Sequence, residues 1–187
     1  LKLGSKQKLG ALLKYADNPM IQDMCTHMYD KIFFEEQSQE VYRRFFADLM
    51  TVNPEDGAVL SGTLITPDGY GSHTPIVLFV TGSGIQNRDE ELFGHKPFLV
   101  IADYLARNGI ASLRYDDRGV GKSTGSLDGL TSLCNKNDAA AGIAYLRELG
   151  KFGKVGVLGH SEGGTIAFML GAEDTVDFLV SFAGAAA

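Results

Sequence analysis

The sequence is poor in the residues that mark several classes of protein. Its only two cysteines, Cys25 and Cys134, lie far apart and have neither a CxxC nor a paired-histidine spacing, which argues against a disulfide framework and a zinc site. No run of Lys or Arg occurs in a chain whose net charge is -6. Because nucleic acids are bound through basic surfaces, we predict no nucleic-acid partner. The cysteine and histidine spacing likewise leads us to predict no metal.

Long apolar runs are also missing. No stretch reaches the ~18 to 20 apolar residues that cross a bilayer, and the N-terminus lacks the charged-then-apolar pattern of a signal segment. We therefore expect no membrane span, and the sequence carries no signal for a compartment or an oligomeric state. The chain begins at Leu1 and stops on Ala187 shortly after an apolar run, so we expect it to be a fragment.

The first fifty residues have the spacing of helices. Apolar residues recur every fourth position from Met20 to Ile32, after a possible N-cap and Pro19, and two further stripes end at Leu49 and Met50. We predict a helical segment over residues 1–50 that buries one face, with a Met-lined surface for acyl chains as the alternative. The turn-forming NPEDG at 53–57 sets the predicted boundary with a second domain, 51–187.

Strands and helices alternate in this second domain. The spacing predicts strands over 58–66, 75–80, 110–115, 154–158 and 178–182, and helices over 99–108, 138–149 and 165–171. Such alternation favours an α/β fold with a mostly parallel, doubly wound sheet and helices on both faces. Ligands of such sheets bind beyond the carboxyl ends of the strands, so the loops after the strands carry the chemistry.

Two of the glycine-bearing loops resemble nucleotide-binding motifs but fail in detail. Gly121-Lys122-Ser123 follows a strand as a phosphate-binding loop does, but Asp116 stands where that motif needs glycine and turn residues follow it. The dinucleotide fingerprint starting at Gly82 fails because Asn87 replaces its last glycine. The sequence therefore predicts no cofactor.

The loop GHSEGG at 159–164 fits nucleophilic catalysis instead. A serine hydroxyl needs a tight strand-to-helix turn to expose it beside a base, and glycines on either side make room for that turn. Ser161 stands between Gly159 and Gly163, after one predicted strand and before one predicted helix. The alternative is a glycine-rich turn with an idle serine.

Several motifs in order resemble the α/β-hydrolase superfamily, in its serine aminopeptidase-like and acyl-esterase-like branch. They are GHSEGG, VTGSGIQNRDE at 80–90 and the segment from GHKPFLV to DDRGVGKSTG at 94–125. The resemblance covers residues 52–187. It implies a serine hydrolase that transfers an acyl group from a small-molecule carboxylic ester to water, with a peptidase, a thioesterase or a non-catalytic binding module of the same fold as alternatives.

The resemblance also implies roles for individual residues. Ser161 would be the nucleophile, and the backbone N–H of Glu162 would be one oxyanion donor. The second donor would come from the loop after the 75–80 strand, either Ser83 or Gly84. Arg88, Asp89 and Glu90 would meet substrate at the mouth of the site, unless this segment is a salt-bridged loop. The DDR at 116–118 would fix neighbouring turns rather than act in catalysis.

The base of the triad has no clear counterpart. The superfamily orders its triad Ser, acid, His, so both partners are expected after the strand that ends at Phe182. Of the four histidines, only His95 follows the oxyanion loop closely enough to be an alternative base. We therefore predict that the base lies outside this chain, that the chain alone has little activity, and that the intact protein is a serine hydrolase.

Overall fold

The structure is a computed structural model and describes residues 47–185. The strands are β1 (Ala47–Val52), β2 (Val59–Ile65), β3 (Ile76–Val80), β4 (Ala111–Tyr115), β5 (Val155–His160) and β6 (Phe178–Phe182). The helices are α1 (Pro97–Arg107), α2 (Ser132–Glu148) and α3 (Glu162–Ala172). Every strand and helix predicted between residues 58 and 182 is present, so these predictions are confirmed.

One six-stranded sheet orders these strands as β1-β2-β4-β3-β5-β6. Strands β4, β3, β5 and β6 are parallel, whereas β1 and β2 are antiparallel to their neighbours. The predicted α/β class with a mostly parallel sheet is confirmed. Since β3 and β5 are adjacent, with Val80 opposite Gly159, the loops that follow them meet at one edge of the sheet.

Helices cover both faces of the sheet. Alternate residues of β3 point to opposite sides, and all five are buried, as expected for a strand covered on both faces. One face packs on α2 and α3 through residues such as Leu78, Ile143 and Ile166. The other packs on α1, where Phe79 and Phe98 meet edge to face with ring centroids 5.1 Å apart.

The helical prediction was wrong at residues 47–50. These residues lie in β1, which pairs with β2 from Ala47 opposite Leu64 to Val52 opposite Val59. The turn at 53–57 closes this hairpin, and Gly57 takes a positive φ of 76° there. Pairing with a strand beyond the turn outweighs the local spacing, so residues 47–50 belong to the sheet. The helix predicted over residues 1–46 lies outside the described residues, and the domain boundary stays a prediction.

Helix α2 begins six residues before the predicted start, because Thr131 caps it: its side-chain oxygen accepts a hydrogen bond from the amide of Cys134. None of the helices within residues 47–185 is long and apolar enough to cross a membrane.

Candidate active site

Ser161 occupies a tight turn between β5 and α3. Its backbone has φ 52° and ψ -114°, a left-handed conformation that non-glycine residues rarely adopt and that clusters at functional sites. The Ser161 amide donates a hydrogen bond to the Phe182 carbonyl at 2.8 Å, and the serine is half-buried. The predicted strand, turn and helix around the serine are therefore present.

The glycines around Ser161 are required by close backbone packing. A Cβ added at Gly159 would lie 2.6 Å from the Gly164 nitrogen, and one at Gly163 would lie 2.5 Å from the Thr81 oxygen. Both distances are shorter than a non-bonded contact of a carbon atom allows, and backbone atoms cannot rotate out of the way as a side chain could. The turn therefore requires glycine at both positions of GHSEGG, because larger residues do not fit there.

The start of α3 offers one candidate oxyanion donor. The Ser161 carbonyl accepts hydrogen bonds from the amides of Gly164 and Thr165 at 3.0 and 3.2 Å. The amide of Glu162 has no acceptor among residues 47–185, and helix N-termini attract negative charge. The Glu162 carboxylate itself accepts a hydrogen bond from the Ser132 hydroxyl at 2.7 Å, at the start of α2.

The loop after β3 lies directly against this turn. A Cβ at Gly82 would lie 3.4 Å from the Ser161 Cβ and 3.2 Å from the His160 Nδ1. Ser83 and Gly84 follow, both are exposed, and Gly84 has φ 97°. Their amides have no acceptor within the described part of the chain. The structure therefore brings the segment of the second predicted donor beside Ser161.

Glu90 joins the two segments, a role the sequence reasoning missed. Its Oε1 accepts a hydrogen bond from the Gly82 amide at 2.7 Å and lies 2.8 Å from the His160 Nδ1. The Gly82 amide is thus occupied and is not a candidate oxyanion donor. Only the acidic residue itself was visible in the sequence, since its partners lie 8 and 70 positions away.

Arg88 and Asp89 face inward in ion pairs. The Arg88 guanidinium contacts both carboxylate oxygens of Asp116, at 3.0 and 2.6 Å. Asp89 pairs with Arg114, whose side chain is 2% exposed. The alternative prediction of a salt-bridged loop is confirmed by these contacts. Substrate contact by either residue stays a prediction.

Comparisons with known proteins agree with this geometry. The family described as serine aminopeptidase, S33, matches residues 96–186. Esterase EstD of Thermotoga maritima is 30% identical over 158 residues, which are 81% of this chain and 37% of that protein. The solved α/β hydrolase GrgF of Penicillium sp. sh18 has a TM-score of 0.62 at 18% identity, over 74% of this chain and 46% of that one. An esterase of Pyrococcus furiosus has a TM-score of 0.60 at 23% identity, over 74% and 49%.

These matches support the resemblance to the α/β-hydrolase superfamily, and the solved structures share its fold with this chain. The chain spans less than half the length of each of these three relatives: 37%, 46% and 49%. The family match over residues 96–186 includes the serine turn.

The DDR segment after β4 holds the loop after β3 in place, which agrees with the structural role predicted for it. Asp117 accepts hydrogen bonds from the Thr81 hydroxyl at 2.8 Å and the Gln86 amide at 2.9 Å, at the two ends of that loop. Burial raises the pKa of Asp117 to about 6, although both hydrogen bonds oppose the change. Arg118 forms a buried pair with Asp138 at 2.5 Å, and the hydrogen bonds with Asp138 raise the arginine pKa.

Ser161 has no base within the described residues. Its hydroxyl makes no hydrogen bond to any residue of 47–185. His160 turns to Glu90, and His95 belongs to a tight turn in which its backbone pairs with Leu92. Over the same range no group of three His, Cys, Asp or Glu side chains is arranged to hold a metal ion.

Proposed function

We propose that Ser161 is the nucleophile of a serine hydrolase that cleaves small carboxylic esters through an acyl-enzyme. The strained turn at Ser161, with φ 52° and ψ -114°, carries the proposal. A fold has no structural reason to hold a serine in this conformation when glycine would relieve the strain, and such strain is typical of functional sites. Similarity to two esterases supports an ester substrate.

In this proposal the Ser161 Oγ attacks the carbonyl carbon while a base accepts its proton. The carbonyl oxygen gains negative charge and is held by the Glu162 amide and by the amide of Ser83 or Gly84. Donors of this kind stabilise the transition state more than the ground state, and losing one typically costs about 3 kcal/mol. The alcohol then leaves with a proton, and water hydrolyses the acyl-enzyme. No residue of 47–185 serves as the base here; the acid and the histidine come from elsewhere in the protein.

A fluorophosphonate probe tests the nucleophile, because it labels a serine only when that serine is activated. We expect the full-length protein to be labelled on the peptide that contains Ser161 and the Ser161→Ala variant to stay unlabelled. Ser126→Ala, which removes an exposed loop serine, is the matched control and keeps the label. Labelling that persists in Ser161→Ala would refute the proposal, and so would a full-length protein that takes no label.

A peptidase is the second candidate, favoured by the match to the serine aminopeptidase family. Both reactions use the same nucleophile and oxyanion donors, so only substrates separate them. We expect turnover of acyl p-nitrophenyl esters to exceed that of aminoacyl p-nitroanilides and acyl thioesters with the same acyl group. Faster cleavage of the anilide would assign the peptidase instead, and the thioester series reports on a thioesterase in the same way. A labelled Ser161 would also exclude a non-catalytic binding module.

A further inference from the structure

Glu90 is a buried carboxylate at the edge of the candidate site. The residue is 8% exposed and has a positive φ of 50°. One of its oxygens, Oε1, faces both the Gly82 amide at 2.7 Å and the His160 Nδ1 at 2.8 Å. Neither the nucleophile nor the oxyanion donors account for this arrangement.

The two partners of Glu90 occupy matching positions in the chain. Gly82 directly precedes Ser83, a candidate oxyanion donor, and His160 directly precedes Ser161. A single carboxylate oxygen therefore holds the residue before a donor and the residue before the nucleophile. Because peptide units are rigid, fixing these two residues restricts the distance between the donor amide and the serine.

The segment around Glu90 is itself anchored. The Glu90 amide donates to the Asn87 carbonyl at 2.9 Å, and the Asn87 side chain accepts from the Asp89 amide at 3.0 Å. The preceding Arg88 pairs with Asp116 at 2.6 Å, and Asp89 pairs with the buried Arg114. These ion pairs hold the carboxylate in place, which explains why charged residues cluster in NRDE.

We propose that Glu90 is a positioning residue that sets the separation between the oxyanion loop and Ser161. This inference rests on the proposed hydrolase function. The hydrogen bond from Gly82 to a carboxylate is of the charge-assisted kind, which is stronger than a neutral one. Oxyanion donors act only when they lie 2.7–3.1 Å from the developing charge, and a displacement of about 1 Å can lower the rate about 10²-fold.

Three variants of Glu90 separate position from charge. Glu90→Ala removes the acceptor, and Glu90→Asp keeps the charge but draws the oxygen back by one methylene. Glu90→Gln keeps an acceptor oxygen at the same place. Glu91→Gln is the matched control, since the Glu91 side chain is 39% exposed and lies 3.7 Å from Lys96. It also accepts a hydrogen bond from the Asn87 side-chain amide at 3.3 Å, and the glutamine oxygen can accept the same bond.

We expect Glu90→Ala and Glu90→Asp to lower kcat for an activated ester about 10²-fold in the full-length protein, with KM unchanged. The rate of fluorophosphonate labelling falls in parallel, because the phosphonyl oxygen uses the same donor amides. Glu90→Gln retains most of the rate, and Glu91→Gln behaves as wild type. Glu90→Asp keeps the test decisive if Glu90→Ala fails to fold.

Wild-type kcat in Glu90→Asp would overturn the inference, and so would a rise in KM alone, which would indicate substrate contact. A larger loss in Glu90→Gln than in Glu90→Asp would also overturn it, since charge rather than position would then matter. If the wild-type protein takes no label at Ser161, the proposed function fails. If it is labelled and the Glu90 variants are labelled equally fast, only the present inference fails.

Discussion

Replacing Ser161 with glycine should stabilise the fold while abolishing labelling. The serine has φ 52° and ψ -114°, and a non-glycine residue in such a region costs about 1–3 kcal/mol. Glycine adopts this conformation freely but loses roughly 0.5–1 kcal/mol through the greater entropy of the unfolded chain. Subtracting the second range from the first gives a net gain of about 0–2.5 kcal/mol, with a middle value of about 1 kcal/mol, for Ser161→Gly over Ser161→Ala.

The comparison with Ser161→Ala isolates the backbone. Both variants lose the hydroxyl, which makes no hydrogen bond to residues 47–185, so deleting it should change stability by less than about 0.5 kcal/mol. Alanine keeps the strain and glycine releases it. Urea unfolding of both variants and of the wild type gives the free energies directly.

Ser126 provides the matched control. It is an exposed loop serine whose φ is not positive, so Ser126→Gly should be less stable than Ser126→Ala by about 0.4–1 kcal/mol. The sign of the glycine effect is therefore expected to differ between the two sites. Equal signs, with Ser161→Gly no more stable than Ser161→Ala, would show that the turn stores no strain, and the main support for the nucleophile would be lost.

Three further changes probe the surroundings of the serine. Gly163→Ala places a Cβ 2.5 Å from the Thr81 oxygen, so labelling and the melting temperature should fall together; an unchanged label would show that the turn can widen. Arg118→Met leaves Asp138, 3% exposed, without its charge partner, and should lower the free energy of unfolding in urea by about 3–5 kcal/mol. Folding raises the pKa of Asp117 from 3.8 to about 6, so ionisation of this carboxyl opposes folding. As the pH rises from about 4 to 7, the wild type should therefore lose up to about 3 kcal/mol of stability relative to Asp117→Asn. A pH-independent difference in urea unfolding would contradict this assignment.

Features that depend on neighbouring residues were predictable from the sequence. The serine turn needs glycine at 159 and 163 for local reasons of space, so its pattern was readable. The run Ile76–Val80 is buried on both faces, and its continuous apolar character indicated this. The start of α2 was predicted at Asp138, although Thr131 is a residue type that caps helices and the helix begins directly after it.

Features that depend on distant partners were not predictable. Leu49 and Met50 have helical spacing, but their place in β1 is decided by pairing with β2 across the turn. The contact of Glu90 with His160 spans 70 positions, and no local pattern announces it. Ion pairing of Arg88 and Asp89 was one of two alternatives. The choice required the positions of Arg114 on β4 and of Asp116 directly after it.

The neighbouring positions of β3 and β5 also bear on biosynthesis. Val80 and Gly159 are paired although they lie 79 positions apart in the chain, and contacts of such long range form slowly during folding. A ribosome must translate β5 and α3 before the amides of Ser83 and Gly84 can lie beside a serine turn. In a nascent chain the proposed site is therefore unassembled until β5 and α3 have been made and the middle of the sheet has closed.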